Sequence, residues 1–597
     1  MYNKKLIPIL LFIISYFSIF SNSCEKLQKP LRERWKTPCE ISQFKETPRY
    51  DETILFCKRL GRVSKFVKYR SFGKSSQGRE LPLLIVDFDK RFSPNLQKRT
   101  GKPVILIQAC IHAGEPDGKD AGLMFLRDVI IFGKYKELVK DVTLLFIPIF
   151  NVDGHERFGK YNRINQNGPI ETGWRTTAQN FNLNRDFLKA DAPEMKAWLK
   201  LFREWLPDFL VDIHVTDGAD YQYVVTYGLE IRDVLDEPLR VWSNNIFLPQ
   251  FISKMRKSGY EIFPYIHPRR WNDVESGLII GVPSPRYSNG YGIVQNRIFL
   301  LIENHMLKDY KQRVLATYET IRNIVEIVSS ERYSLKESVS QSDKMTSNME
   351  TGSAFYLNYR VDFSDSSRVK FLGKKYRHEY SDISGSEYII WEDEPDTFDV
   401  FLFSKIFPAD SVMVPYAYII PPEWSDITTI LILHGVNVKY LNRDLRLPVH
   451  TYKFFDFSWD SESYEGHHRV KFSLMDTVVE RTFPKGSVLV LMNQRVNKVI
   501  LHALEPKAPD SFLRWGFFNV IFERKEYAEM YVLEKLAREM ITSNSSIYNE
   551  FLKRLKIDAE FRDNPRERLH FFYKRSPYWD KNYCMYPVGR VFKPFGL

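Results

Sequence analysis

Between residues 103 and 329 the chain repeatedly alternates a short apolar run of strand length with a segment of helical period. Apolar and β-branched residues fill 103–111, 142–148, 209–214 and 297–303, and helix-period segments at 117–131, 192–205, 242–258 and 310–329 alternate with them. Strands that are apolar throughout are covered on both faces, and strands joined through a helix run parallel. The pattern therefore predicts an α/β domain, a mixed central sheet with helices on both faces, whose ligands gather at the strand ends. Upstream, 50–60 predicts a helix ended by Gly61. Segments 66–72 and 81–88 predict a hairpin across the Ser- and Gly-rich turn 73–79.

Three of these strands finish in side chains with chemistry to offer. The first runs into Cys110-Ile111-His112-Ala113-Gly114-Glu115-Pro116-Asp117-Gly118. Pro116 pushes Glu115 out of the α region and itself suits the first turn of a helix, so His112 and Glu115 stand together on a strand-to-helix loop. That setting differs from HExxH, in which the two histidines sit on a helix. A lone His-x-x-Glu is common in surface loops. A second strand, however, ends in Val211-Asp212-Ile213-His214, and the two ends together offer the His₂Glu set of a catalytic zinc site whose fourth position stays open. Asp212 reads as facing away from His214 and so as a supporting residue rather than a ligand. The third strand ends in Leu301-Ile302-Glu303, a carboxylate able to act as general base in amide hydrolysis. Between the ligands, Trp174-Arg175 and Asn182-Leu183-Asn184-Arg185-Asp186 supply guanidinium forks suited to a carboxylate or an oxyanion.

Taken in order, these residues resemble the zinc carboxypeptidases of the M14, or carboxypeptidase A-like, type. The likeness runs through His112 and Glu115, Asn151-Val152-Asp153-Gly154, Trp174-Arg175, Asn184-Arg185, His214 and Glu303-Asn304, and spans residues 47–330. The resemblance implies that His112, Glu115 and His214 hold one Zn²⁺, that Glu303 is the base and that Arg175 polarises the scissile carbonyl. It further implies that Asn184 and Arg185 grip the C-terminal carboxylate of a peptide or protein substrate. For the family's mobile tyrosine, Tyr287 and Tyr291 compete, with Tyr287 favoured. Val215-Thr216-Asp217-Gly218 departs from the digestive members, so substrate subsites do not transfer. The region beyond the catalytic domain, with Arg575-Ser576-Pro577-Tyr578-Trp579, resembles the extensions of large bacterial secreted members.

The remaining chain sets the wider expectations. An apolar fraction of 44% and an aromatic fraction of 15% speak for packed cores and against disorder. The net charge of +12 is spread among interleaved acids and bases without a basic block, which points to a solvated surface and away from nucleic acid. Residues 1–24 read as a signal segment that ends in Ser21-Asn22-Ser23-Cys24, leaving simple cleavage and lipid attachment at Cys24 both open. Either route places the protein outside the cytoplasm, as a secreted, periplasmic or surface protein, with membrane contact only through such an anchor. The five cysteines follow no metal-binding spacing, and a Cys39–Cys57 bridge is not required.

Residues 25–46 then read as a tether, 47–333 as the catalytic domain, 334–351 as a Ser- and Lys-rich linker, and 352–597 as a β-rich region ending in helices. In the last of these, Tyr527, Met530, Tyr531, Leu533, Leu536, Ala537 and Met540 recur at helical spacing and read as core packing. His155 reads as a turn residue and His467-His468 as exposed. Leu431-Ile432-Leu433-His434-Gly435 has no GxSxG partner to make it part of a serine hydrolase. Two rival functions remain at this stage: a zinc amidase acting on peptidoglycan peptides or acyl-amino acids, and a noncatalytic surface-binding protein.

Overall fold

The computed structural model describes residues 30–271 and 273–595; the signal segment, with Cys24, lies outside them. β1 (Val67–Lys74) and β2 (Glu80–Val86) form the expected hairpin. β3 (Val104–Ala109), β4 (Thr143–Ile147), β5 (Phe209–Thr216), β6 (Val225–Gly228) and β7 (Ile262–Pro264) follow. After β8 (His267–Arg270) and β9 (Asp273–Ile279), which belong elsewhere, comes β10 (Ile298–His305). Eight of these form one sheet in the order β1-β2-β4-β3-β5-β10-β6-β7. The β3–β4, β3–β5 and β5–β10 pairs are parallel, while β2–β4 and β6–β10 are antiparallel, so the sheet is mixed.

Alternation along the strands sends side chains to two cores. Ile105, Ile107, Val211, Ile213, Leu300 and Ile302 join a large core with the helices Asp117–Ile130 and Tyr310–Ser330. The opposite face takes the helix Pro193–Trp205, whose buried Trp198 donates its indole N–H to Gln108 Oε1 on β3 at 2.8 Å. The two helices on the first face are clamped together by Asp117 and Arg313, both wholly buried, with Nε donating to Oδ2 at 2.9 Å.

Several boundaries differ from expectation, each for a local reason. The first long helix runs Tyr50–Val63, straight through Gly61, because Gly61 does not take the left-handed conformation that ends a helix. β3 stops at Ala109 instead of 111 because Cys110 is left-handed, with φ of 56°. The expected linker is the helix Arg332–Ser347, which buries Leu335, Val339, Ser342 and Thr346. Half of that stripe is Ser and Thr, so it leaves no apolar periodicity to read. The described part of the expected tether is packed as well: Trp35 and Cys39 are buried, and Thr37 and Glu40 form a capping box on the short helix Pro38–Ile41. Cys39 and Cys57 are buried free thiols, without a bridge.

The chain forms two compact units. The first runs to Val414 and takes back Thr429–Asn437 and Met492–Ser511; the second comprises Pro415–Thr428, Val438–Leu491 and Phe512–Leu597. The boundary thus does not fall at 334–351. Within the first unit, β11 (Ala354–Val361) pairs with β14 (Ile406–Met413). The long hairpin β12 (Ser367–Ser381) and β13 (Ser386–Phe403) extends β9 and β8 into a four-stranded sheet. The second unit holds an antiparallel sheet of β15 (Ala417–Ile420), β16 (Lys439–Tyr440), β17 (Leu445–Trp459), β18 (Val470–Phe483), β19 (Val488–Leu491) and β20 (Gly589–Val591).

The second unit also contains a small core of Ala537, Phe551, Phe561, Phe571 and Phe572 from its terminal helices. Of the stripe read as core, only Leu533 and Ala537 are buried; Tyr527 and Tyr531 are exposed because the helix begins at Met530 and turns that side outward. No helix among the described residues is long and apolar enough to cross a membrane.

Candidate active site

The site lies at the C-terminal ends of β3, β5 and β10, where three loops approach one another closely. Glycine makes this approach possible. A Cβ on Gly114 would stand 2.8 Å from the Gly173 carbonyl, and one on Gly173 would stand 2.8 Å from the Ala113 carbonyl and 2.7 Å from the His155 backbone. The Asn-Val-Asp-Gly motif organises these loops. Asn151 caps the helix Val152–Glu156 through the Gly154 amide and donates from Nδ2 to the Arg175 carbonyl at 3.2 Å. Asp153 accepts from the Ser75 and Ser76 hydroxyls, the Gln77 amide and Arg79, which holds the β1–β2 turn.

His112, Glu115 and His214 come together. One donor atom from each lies within 4.8 Å of the others, and all three residues are buried. His112 Nδ1 is 3.2 Å from Glu115 Oε1, and His214 Nδ1 is 3.2 Å from both Glu115 Oε2 and His112 Nδ1. The outer nitrogens fix the tautomers. Asn182 Oδ1 already accepts the Asn184 amide, so it faces His112 Nε2, at 3.1 Å, as an acceptor. Asp212 Oδ2 faces His214 Nε2 at 2.9 Å. Both Nε2 atoms therefore carry a proton, and the two Nδ1 atoms converge on a carboxylate in a buried pocket. Such a donor set suits a divalent cation, and zinc in particular.

The electrostatics of the metal-free site favour a neutral His112 but a charged His214, whose Nδ1 lone pair becomes available when a metal displaces its proton. Burial pushes His112 down to about 4, against the pull of Glu115. Burial also disfavours the His214 cation, but the Asp212 carboxylate outweighs it and raises the His214 pKa well above the usual range. Burial opposes the Glu115 carboxylate too, yet His112 and Arg163 together hold it well below the ordinary value.

Asp212 corrects a reading made from the sequence. Residues two apart on a strand share a face, so Asp212 and His214 point the same way. Asn182 is a partner that the sequence reading missed; its signal is the Asx turn it forms at the start of Leu183–Arg185.

Glu303 stands directly beside His214, in register across the parallel β5–β10 pair, and so on the same face. It is buried, and burial raises its carboxyl to about 8, with Glu115 and Asp212 adding to the effect and His214 and Arg175 opposing it. Arg175 holds Nη1 3.6 Å from Glu115 Oε1, with its side chain 42% exposed. Asn184 accepts the Ser288 amide on Oδ1 at 3.1 Å, and the Arg185 guanidinium lies 4.5 Å over the Tyr287 ring.

Tyr291 does not belong to this group. It is wholly buried, donates its hydroxyl to His434 Nδ1 at 2.8 Å and accepts from Gln295. The turn that opens the helix Ser288–Val294 separates the two tyrosines, Tyr287 at its cap and Tyr291 inside it. His155 is buried against Lys119 Nζ, away from the three donors, and His468 is exposed.

An α/β sheet whose strand ends present two imidazoles, a carboxylate and, in register beside them, a second carboxyl group has the residue set of a metal-dependent hydrolase. Residues 55–217 match the zinc carboxypeptidase family, peptidase M14. Carboxypeptidase 2 of Trichophyton rubrum is 26% identical over 504 residues, covering 79% of this chain and 85% of that protein. Carboxypeptidase 2 of Trichophyton equinum is 25% identical over 515 residues, covering 81% and 86%. The solved structure of carboxypeptidase A from Helicoverpa armigera aligns over 54% of this chain and 87% of its own, with 16% identity and a TM-score of 0.36. The chain thus carries a zinc carboxypeptidase domain of the M14 type over residues 55–217 and is similar along most of its length to these carboxypeptidases 2. Both of these carboxypeptidases 2 come from Trichophyton, and they lend no support to the bacterial secreted type expected from residues 575–579.

Proposed function

We propose that this protein is a zinc carboxypeptidase that hydrolyses the last peptide bond of a peptide or protein with a free C-terminus, and that Glu303 is its base. The observation that carries the reading is the convergence of His112, Glu115 and His214 with Glu303 in register beside His214. Zinc held there would supply the Lewis acid that polarises the scissile carbonyl and the attacking water. Glu303, buried in register beside His214, takes the proton from that water as the carboxylate and passes it to the leaving amine. Arg175, with its side chain 42% exposed, meets the developing oxyanion. Asn184 and Arg185 hold the substrate carboxylate, with Tyr287 stacked on Arg185.

Purified protein should contain about one zinc per chain, and a chelator should abolish peptidase activity until Zn²⁺ is returned. Glu303→Gln should keep zinc and fold while turnover falls by roughly 10²–10⁴-fold, the range for loss of a general base, mostly in kcat. Wild-type turnover in that variant would remove Glu303 from the mechanism. Comparing linear peptides with muropeptides separates this reading from that of an amidase.

A further inference from the structure

We infer that Arg163 is a positioning residue for Glu115, and that by holding one carboxylate oxygen it leaves Arg175 free for the substrate. The inference rests on the reading of His112, Glu115 and His214 as the metal site.

The two oxygens of Glu115 have different surroundings. Oε2 accepts the Val215 amide at 3.0 Å and faces His214 Nδ1 at 3.2 Å. Oε1 faces His112 Nδ1 at 3.2 Å and two guanidinium groups, with Arg163 Nη2 donating at 2.9 Å and Arg175 Nη1 standing at 3.6 Å. Of the two guanidinium contacts only the first is a hydrogen bond, and a charged one, the stronger kind. It fixes the rotation of the carboxylate, and with it where each oxygen meets the histidine nitrogens.

Arg163 is built to stay where it is. Its stem lies along Gly114, where a Cβ would come within 2.7 Å of Arg163 Cδ and 2.8 Å of Cγ, so the glycine between the two ligands of the first loop makes room for it. The loop that carries it is closed at the base by Gly159 and Thr172, which exchange amide-to-carbonyl bonds of 2.9 and 3.2 Å. Asn162 Nδ2 donates to the Arg157 and Thr172 carbonyls, each at 2.7 Å. Further along, buried Arg313 donates to the Asn167 and Gly168 carbonyls at 2.8 and 2.9 Å, and Gln166 donates to the Gly114 carbonyl at 3.1 Å. The Arg163 side chain is 18% exposed against 42% for Arg175. One cation is therefore walled in on Glu115 while the other stands off. Without Arg163 the buried carboxylate would lack its nearest counter-charge, and Arg175, the next cation, would close on Oε1 and be lost to the substrate.

Arg163→Met and Arg163→Lys in the full chain test this. Zinc affinity would be measured by chelator competition, the metal geometry by the visible absorption of the Co²⁺-substituted protein, and catalysis as kcat and KM separately. Arg163→Met should bind zinc about 10–100-fold more weakly, the usual cost of losing a partner behind a metal ligand. It should also change the Co²⁺ bands and lower kcat more than it raises KM. Arg163→Lys, a point charge without the fork, should fall between it and wild type. Wild-type zinc affinity and Co²⁺ bands in Arg163→Met would overturn the role. If the Met variant does not fold, the Lys variant decides: reduced affinity with shifted bands supports the role, and wild-type values overturn it. A wild-type protein that holds no metal would overturn the metal site and this inference with it; a normal wild type beside an unaltered Arg163→Met overturns Arg163 alone.

Discussion

Asp212 shows how much depends on which face a single side chain occupies. With its carboxylate 2.9 Å from His214 Nε2, it fixes the tautomer of the ring and makes Nδ1 a better donor. Asp212→Asn keeps the shape but replaces a charged acceptor with an amide that can turn either way. Zinc affinity should fall by about 10–100-fold while the fold is retained, as read by chelator competition and far-UV circular dichroism. An unchanged dissociation constant would mean that His214 is oriented by packing alone. The types of residue at the strand ends, His112, Glu115, His214 and Glu303, could be read from sequence because each comes at or just past an apolar run, even though the strands stop a few residues away from the expected ends. The partners could not. Asn182 lies 70 residues from the ring it holds, and the Asx turn that marks it locally does not say which ring it meets.

Among the elements, the helix Tyr50–Val63 begins against the loop of the Asn-Val-Asp-Gly motif. Glu156 accepts the Tyr50 amide at 3.0 Å and pairs with Arg49 at 3.0 Å, which satisfies a donor that the helix leaves unpaired. Burial works against the Glu156 carboxylate, but hydrogen bonds from His155 and the Tyr50 amide outweigh it and hold the pKa at about 2. A carboxylate depressed in the folded state contributes stability that is complete above its unfolded pKa of about 4.3 and is lost as pH falls through the folded value. The gap in thermal midpoint between wild type and Glu156→Gln should therefore be constant above about pH 5 and shrink from there toward pH 2. A gap that stayed constant across that window would show that the cap does not depend on charge. The strand and helix pattern that builds this frame was largely visible in the chain, since apolar periodicity reports directly on burial. The helix Arg332–Ser347 escaped because it buries Ser342 and Thr346 beside Leu335 and Val339, and polar atoms on a buried stripe do not register as apolar.

In the molecule as a whole, the segments Thr429–Asn437 and Met492–Ser511 return to the first unit from far along the chain. They supply groups that the catalytic sheet and its loops need. His434, pushed down to about 4 by burial and hence neutral, accepts the Tyr291 hydroxyl and donates to the Leu188 carbonyl at 2.9 Å. Buried Asp510 accepts the Arg286 amide at 3.0 Å and pairs with its guanidinium at 2.9 Å, one residue before Tyr287. Asn497 donates to the Thr346 carbonyl at 2.8 Å. Each buried group left without its partner costs about 1–3 kcal/mol, against a net stability on the order of 5–15 kcal/mol for a domain. A chain ended after Thr351 should therefore lack a cooperative unfolding transition and bind a hydrophobic dye. A sharp calorimetric transition from that fragment would show that 47–333 folds independently.

The linear chain carried the class of fold and the kinds of ligand, because apolar period and strand-end chemistry are local properties that survive without neighbours. Folding was needed to show that Asp212 turns toward His214, that Tyr287 rather than Tyr291 stands by Arg185, that Arg163 reaches Glu115 across 48 residues, and that residues beyond 414 complete the first unit. Apart from Asp212, which strand alternation alone sets on the face of His214, these are pairings at long sequence separation. Each depends on which loops the sheet brings together, and no local pattern records that.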